Sequence, residues 1–283
     1  MGGLKMTRYG MIIDIDKCNG CYSCFLACKD EYEGNDYVPF SLSQPSNGKP
    51  WMGIIEREMG FCPKVKVDYI PLPCLQCGEA TCVTTATDGV VYRRPDGIVI
   101  IDPEKSKGRK DILSTCPHRV IQWNEEKNIP QKCTFCAHLL DEGWKEPRCV
   151  EACPSGALLF GDLDDPGSEI CQLTKTAPIE ELHPEYGLKP NVVYMDLPKR
   201  FIAGEVLLSD QQEACPEGVK VTLKNGDHME TCRTDFLGDF EFEGLEPNKS
   251  YSLLIEYEGY RSRELQVKTQ LDVNVGEILL ERV

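Results

Sequence analysis

The spacing of the cysteines constrains this chain more than any other feature. Residues 18–28 read Cys18-x-x-Cys21-x-x-Cys24-x-x-x-Cys28. In two-cluster ferredoxins a run of this form gives three thiolates to one cubane iron–sulfur cluster and the fourth to another, because the last cysteine starts a helix that leads toward the second site. A complementary run is therefore required elsewhere. Cys133-x-x-Cys136, twelve intervening residues and then Cys149-x-x-x-Cys153-Pro154 supply it. Exchanging fourth ligands yields Cys18, Cys21, Cys24 and Cys153 as set 1, and Cys28, Cys133, Cys136 and Cys149 as set 2.

A second pair of runs is half erased. Cys74-x-x-Cys77-x-x-x-x-Cys82 lacks the cysteine that should follow four residues later, where Ala86 stands. The matching run, EKSKGRKDILSTCP, carries Ser106, Arg109 and Ile112 at three ligand positions and keeps only Cys116. By the same exchange rule Cys116 completes Cys74, Cys77 and Cys82 as set 3. The four replaced positions, Ala86, Ser106, Arg109 and Ile112, are the whole ligand set of one cluster. Random loss would have scattered, so one site has been removed entire and three 4Fe-4S clusters are expected.

Zinc also favours Cys-x-x-Cys pairs, but structural zinc sites rarely use a four-cysteine run that ends in Cys-Pro. Disulfides fit less well, because no secretory leader is seen ahead of these cysteines and close spacing is typical of metal or redox sites in a reducing compartment. Cys62, Cys171, Cys215 and Cys232 stay outside the ligand sets and are expected to be ordinary free thiols.

The 283 residues, 41% of them hydrophobic, suffice for two domains each with its own core. No apolar run approaches the ~20 residues that span a bilayer, so direct membrane insertion is not expected. The N-terminal MGGLKMTRYGMIIDIDKC shows neither an apolar signal core nor a twin-arginine pair. A cytoplasmic location is expected, with co-export beside a signal-bearing partner left open. A net charge of −15 argues against nucleic acid, which needs a basic face.

The fold class expected is α+β. Residues 1–161 form the cluster-binding domain, with GMIIDID a strand entering the first run and YSCFLACKDEY a helix leaving it. GVVYRR and GIVIID are two short strands joined by a Pro-Asp-Gly turn, and VIQW and ALLF repeat the theme. This is a duplicated ferredoxin-like plan of two βαβ modules. Residues 34–73 are an insertion without ligands, in which Trp51, Met52 and Tyr69 cover clusters, meet a partner or pack as an ordinary loop. Residues 162–199, interrupted by Pro166, Pro178, Pro184, Pro190 and Pro198, read as an extended linker along a surface. Residues 200–283 alternate in short runs between turn signals, the pattern of an antiparallel β-sandwich. His228, beside Asn225-Gly226-Asp227, reads as a solvated turn residue.

The fourfold cysteine plan, GDLDDPGSE at Gly161–Glu169 and EYGLKPNVVY at Glu185–Tyr194 resemble the iron–sulfur subunits of the dimethyl sulfoxide reductase family of molybdopterin enzymes. Within that family, the three-cluster count, RRPDGIVIIDPEKSKGRKDILSTCP and QKCTFCAHLLD are most similar to the branch acting on polyhydroxylated aromatics: phenol transhydroxylases, resorcinol hydroxylases and catechol dehydroxylases. The C-terminal GVKVTLK, TDFLGDFEFEGL and Glu258-Gly259-Tyr260 resemble a transthyretin-like or carboxypeptidase-regulatory-like sandwich. Cys149-Val-Glu-Ala-Cys153-Pro154-Ser155-Gly156 is closer to the general family form.

The resemblance implies a large catalytic partner subunit holding molybdenum or tungsten on a bis-pyranopterin guanine dinucleotide. It implies no catalytic residue in this chain, and leaves room for a higher oligomer of heterodimers. It also makes the removed cluster similar to an interior member of a linear chain, which would set the set-3 cluster far from its neighbours. A relative with a non-aromatic substrate, or a free-standing polyferredoxin, would use the same cysteines.

Overall fold

Met11, Ile12 and Ile13 are apolar at successive positions, and the strand that carries them, β1 (Tyr9–Asp14), is buried on both faces. The computed structural model describes residues 7–61, 64–210 and 216–283. The chain divides into two units, residues 1–56 with 68–197, and residues 57–67 with 198–283. Cys62 and Cys215, two of the expected free thiols, lie outside the described residues.

In the first unit β1 enters the first cysteine run and α1 (Ser23–Tyr32) leaves it. β2 (Gly53–Phe61) and β3 (Lys64–Leu72) pair within the ligand-free insertion, and their residues 57–67 belong to the second unit. The second cysteine run leads into α2 (Thr81–Thr85), then β4 (Val91–Arg93) and β5 (Val99–Ile101) pair antiparallel around the Pro-Asp-Gly turn. A 3-10 turn over Lys110–Thr115 precedes the paired strands β6 (Gln122–Asn124) and β7 (Ile129–Gln131). The last run spans α3 (Ala137–Asp141) and α4 (Arg148–Glu151) and ends at β8 (Leu158–Asp162).

The segment expected to be an extended linker is regular structure instead. It contains α5 (Glu169–Thr176) and β9 (Val192–Met195), and β9 pairs parallel with β1 on the edge opposite to antiparallel β8. The reason lies in β1, whose successive side chains point to opposite faces. Met11 and Ile13 join the core that contains Cys24, Cys28, Cys136 and Cys149. Ile12 faces the other way and packs with Ile170 of α5 and Met195 of β9. Covering a side chain of that size stabilises by about 1.5–3 kcal/mol. Pro166 and Pro178 bracket α5 rather than break it, since its flanking cap residues are Ser168 and Ala177.

The second unit builds two sheets from β10 (Arg200–Leu208), β11 (Lys220–Asn225), β12 (His228–Arg233), β13 (Asp239–Leu245), β14 (Ser250–Glu256), β15 (Arg263–Lys268) and β16 (Val273–Leu280). Their orders are β13-β10-β16 and β12-β11-β14-β15. Side chains from both sheets, among them Val206, Phe242, Leu253 and Ile278, form one apolar core. The expectation of a wholly antiparallel arrangement is corrected at β16, which pairs parallel with β10. The chain leaves β15 in one sheet and crosses to the other, so it arrives in the same direction as β10. His228 opens β12 opposite Asn225 rather than sitting in the turn, with its side chain still largely solvated.

Among the described residues no helix is long and apolar enough to cross a membrane.

Candidate functional site

Cys18 and Cys21 lie in the loop between β1 and α1, Cys24 in the first turn of α1, and Cys153 just past α4. Burial pushes the Cys24 thiol up to about 12, opposed by the Phe25 N–H and reinforced by the nearby sulfurs of Cys153, Cys18 and Cys21. Burial also raises Cys18, against the Gly20 N–H and together with Cys153 and Cys21. Cys21 is exposed and is lowered by hydrogen bonds with Ser23. Set 1 is thus brought together around one loop. Tyr69 of β3 lies over it, so closely to Gly20 that an added Cβ would come 2.5 Å from the ring.

Set 2 is deeper. Burial drives Cys133 and Cys149 well above the ordinary thiol range, with Cys28 and Cys136 among the sulfurs that add to the effect. Cys28, on α1, is pushed up to about 12 by burial and by Cys136. The N–H groups of Met52 and Trp51 and the Gln44 side chain oppose that rise. The insertion therefore covers this site, with buried Trp51 and Met52 supplying amides to a sulfur. Cys136 is pushed up to about 11 by burial, eased by the Tyr32 hydroxyl and the Arg148 N–H.

Set 3 frames a single cavity lined by all four thiols, Cys74, Cys77, Cys82 and Cys116, together with Lys132 and His118. Burial raises Cys77 to about 12, and Cys74, Cys116 and Cys82 raise it further. Cys82 reaches about 11 through burial, opposed by the Lys132 ammonium. Burial also raises Cys116, opposed first by the Val120 N–H.

The loops around these thiols are held in a conformation that ordinary side chains avoid. Tyr22, Gln76, Arg119, Phe135 and Cys136 all have φ between 49° and 61°, and each lies within or beside a cysteine run. Non-glycine residues in the left-handed region cost free energy and gather where a site demands them. The gain here is successive N–H groups turned toward sulfur, as in Phe135 N–H to Cys133 Sγ at 3.4 Å. Among the described residues, no three His, Cys, Asp or Glu gather as a single-ion site. Four thiols with amide donors around a shared cavity, as in set 3, fit a cubane, whose four irons each take one thiolate. Binding would replace the thiol protons that burial otherwise retains.

The three sets form a row. Cys24 is among the sulfurs acting on Cys149, which links sets 1 and 2, and Cys74 acts on Cys133, which links sets 2 and 3. Gln76, 0% exposed, braces the second junction: its Nε2 donates to the Cys133 carbonyl at 3.0 Å, and its Oε1 accepts from the Val99 N–H at 2.8 Å.

Two of the four replaced positions pack with set 3. Ala86 and Ile112 share an apolar cluster with Cys82, Cys77 and Cys116, and Ser106 is fully buried ahead of the 3-10 turn at Lys110–Thr115. Arg109 turns outward to Asp88 and Asp111, so its charge does not fill the old site. The expectation that set 3 lies far from its neighbours is corrected, since Cys74 is close enough to act on Cys133 of set 2.

Gln76, Lys132, Tyr32 and Gln44, which the structure sets beside the cysteines, were missed in the sequence. Gln76 and Lys132 adjoin cysteines within the motifs, where a polar residue next to a ligand was the available signal. Tyr32 and Gln44 reach their sulfurs through the tertiary fold, and nothing in the local pattern announces them. Cys171 is buried in α5 and Cys232 half-buried on β12, both as free thiols.

Residues 65–163 match the family described as a 4Fe-4S dicluster domain. The chain is 40% identical over 282 residues to the pyrogallol hydroxytransferase small subunit of Pelobacter acidigallici, covering 97% of this chain and 100% of that one. It is 32% identical to the arsenate respiratory reductase iron–sulfur subunit of Shewanella sp. strain ANA-3, covering 66% of this chain and 96% of the relative. A subunit of the anaerobic dimethyl sulfoxide reductase of Escherichia coli K12 is 33% identical, with 65% of this chain and 90% of the relative covered. With its match to a 4Fe-4S dicluster domain and this breadth of similarity, the chain belongs to the iron–sulfur subunits of the dimethyl sulfoxide reductase family of molybdopterin enzymes.

Proposed function

We propose that this chain is the electron-transfer subunit of a molybdopterin oxidoreductase that transforms polyhydroxylated aromatics by transhydroxylation, hydroxylation or dehydroxylation. It holds three 4Fe-4S clusters: one on Cys18, Cys21, Cys24 and Cys153, one on Cys28, Cys133, Cys136 and Cys149, and one on Cys74, Cys77, Cys82 and Cys116. The clusters supply one-electron carriers. The chain's own residues exclude water from them, donate N–H groups to their sulfurs and, through Gln76, fix the spacing of the second and third. Substrate chemistry belongs to a large partner subunit carrying molybdenum or tungsten on two pyranopterin guanine dinucleotides.

The cluster-binding unit is read as a duplicated ferredoxin-like fold over residues 1–161, and the C-terminal one as a transthyretin-like sandwich over residues 200–283. A cytoplasmic complex is the corresponding reading of its location. The observation that carries the aromatic substrate class is end-to-end similarity to the pyrogallol hydroxytransferase small subunit, where the two reductase subunits above match only two thirds of this chain.

The test is anaerobic purification of the chain with its partners, analysis for iron, sulfide, molybdenum and tungsten, and an assay of polyhydroxylated phenols by product chromatography. About twelve irons per chain, molybdenum or tungsten on a large subunit and turnover of a phenol are the expected result. The same iron with no partner would replace the reading with a free carrier. A metal-bearing partner inert to phenols would remove the aromatic substrate.

A further inference from the structure

Lys132 is a cation in the interior with no carboxylate beside it. It follows β7 directly, only 2% of it is exposed, and among the described residues no acidic side chain pairs with it. Its Nζ donates to the Val99 carbonyl and, at 3.2 Å, to the Cys133 carbonyl. An ammonium carries three donors, so two backbone dipoles do not use it fully. Its side chain also lines the cavity framed by Cys74, Cys77, Cys82 and Cys116.

The strand behind it is firmly held. Gln131 Nε2 donates to the Leu42 carbonyl at 2.7 Å, and Asn124 Nδ2 donates to Gln131 Oε1 at 3.0 Å. A charge fixed in so dry a place is strongly unfavourable unless an opposite charge lies close. The four thiols of set 3 become that opposite charge when they bind iron and sulfide, because the core with four thiolates is a net anion.

We propose that the Lys132 ammonium is the built-in counter-ion of the set-3 cluster, raising its reduction potential. This inference rests on the ligation of set 3 proposed above. Reduction places one further electron on the set-3 site, taken from the neighbouring reduced set-2 site, which returns to its oxidised state. The added negative charge develops beside a fixed cation, so reduction is favoured and no proton need be taken up. Lys132 is a positioning residue: it touches neither substrate nor the ligating sulfur–iron bonds, and acts through the field at the cluster. A purely structural lysine would hold the Val99 and Cys133 backbones together without affecting the potential.

The experiment is an anaerobic redox titration of the whole complex, followed by electron paramagnetic resonance, on wild type, Lys132→Gln and Lys132→Arg. Cys116→Ser identifies the set-3 signal as the one that disappears. In Lys132→Gln the reduction equilibrium of that signal is expected to fall at least tenfold, a downward shift of about 59 mV for one electron. The set-1 signal should stay in place, and Lys132→Arg should return set 3 toward wild type. An unmoved set-3 midpoint in Lys132→Gln with full iron overturns the proposal.

If Lys132→Gln loses the cluster, the arginine variant decides: retention there shows that charge is required, and loss in both shows a role in shape alone and overturns the proposal. A wild-type complex with no signal sensitive to Cys116→Ser overturns the set-3 ligation, and this inference with it. The two failures are therefore distinguishable.

Discussion

The two units solve the problem of an interior in opposite ways. The C-terminal unit has a continuous apolar core, to which strands such as β14 contribute every second residue, Tyr251, Leu253 and Ile255. The N-terminal unit has short elements, backbone bent into the left-handed region at its cysteine runs, and thiols where a core would have hydrocarbon. Its buried interior includes Cys24, Cys28, Cys136 and Cys149 alongside Met11, Ile13 and Phe135. One unit is stabilised by what its side chains do to one another. The other is organised around its thiols, and Ala86 and Ile112 pack as hydrocarbon beside Cys77, Cys82 and Cys116.

The largest test of that contrast is removal of iron. Anaerobic chelation is expected to abolish amide-exchange protection in β1, β8 and the cysteine runs while β10, β11, β13 and β14 remain protected. Equal loss in both units would end the distinction. Next, Leu253→Ala should cost the C-terminal unit about 2–5 kcal/mol in exchange-derived stability, without lowering the iron content per chain. A fall in iron would mean that cluster retention depends on this core.

A smaller effect is expected at the vacated site. Ile112→Val should cost about 0.5–1.5 kcal/mol in the exchange-derived stability around α2 and β4, with the iron content unchanged, because Ile112 now behaves as core hydrocarbon. The smallest effect concerns acid. The Tyr260 hydroxyl and Arg282 hold the Asp210 carboxyl below its usual range. A lowered folded value means the stabilisation is full above the ordinary carboxylate value of about 3.9 and is lost as pH falls through the lowered one. Asp210→Asn should therefore lie slightly below wild type at neutral pH in the exchange stability of β16, and the gap should close toward acid. A gap that widens toward acid would reverse the sign of this linkage.

Legibility in the sequence followed the same division. The iron–sulfur character was readable because cysteine spacing is a local property, and the strands that alternate, such as β13 and β14, were readable for the same reason. β12 was missed because nearly all its residues are exposed and no alternation marks it. The segment with α5 and β9 was read as a linker because its prolines suggested interruption. Its role is visible only once Ile12 is known to need cover on the second face of β1. Which cysteine runs neighbour one another also required tertiary information, since spacing along the chain does not give the order in which they lie.

Gln76 gives that order a practical meaning. A single amide spans the junction between the second and third sets, held from both ends by backbone groups. Electron tunnelling falls off steeply with distance, so a loosened brace would be felt as slower traffic long before it was felt as instability.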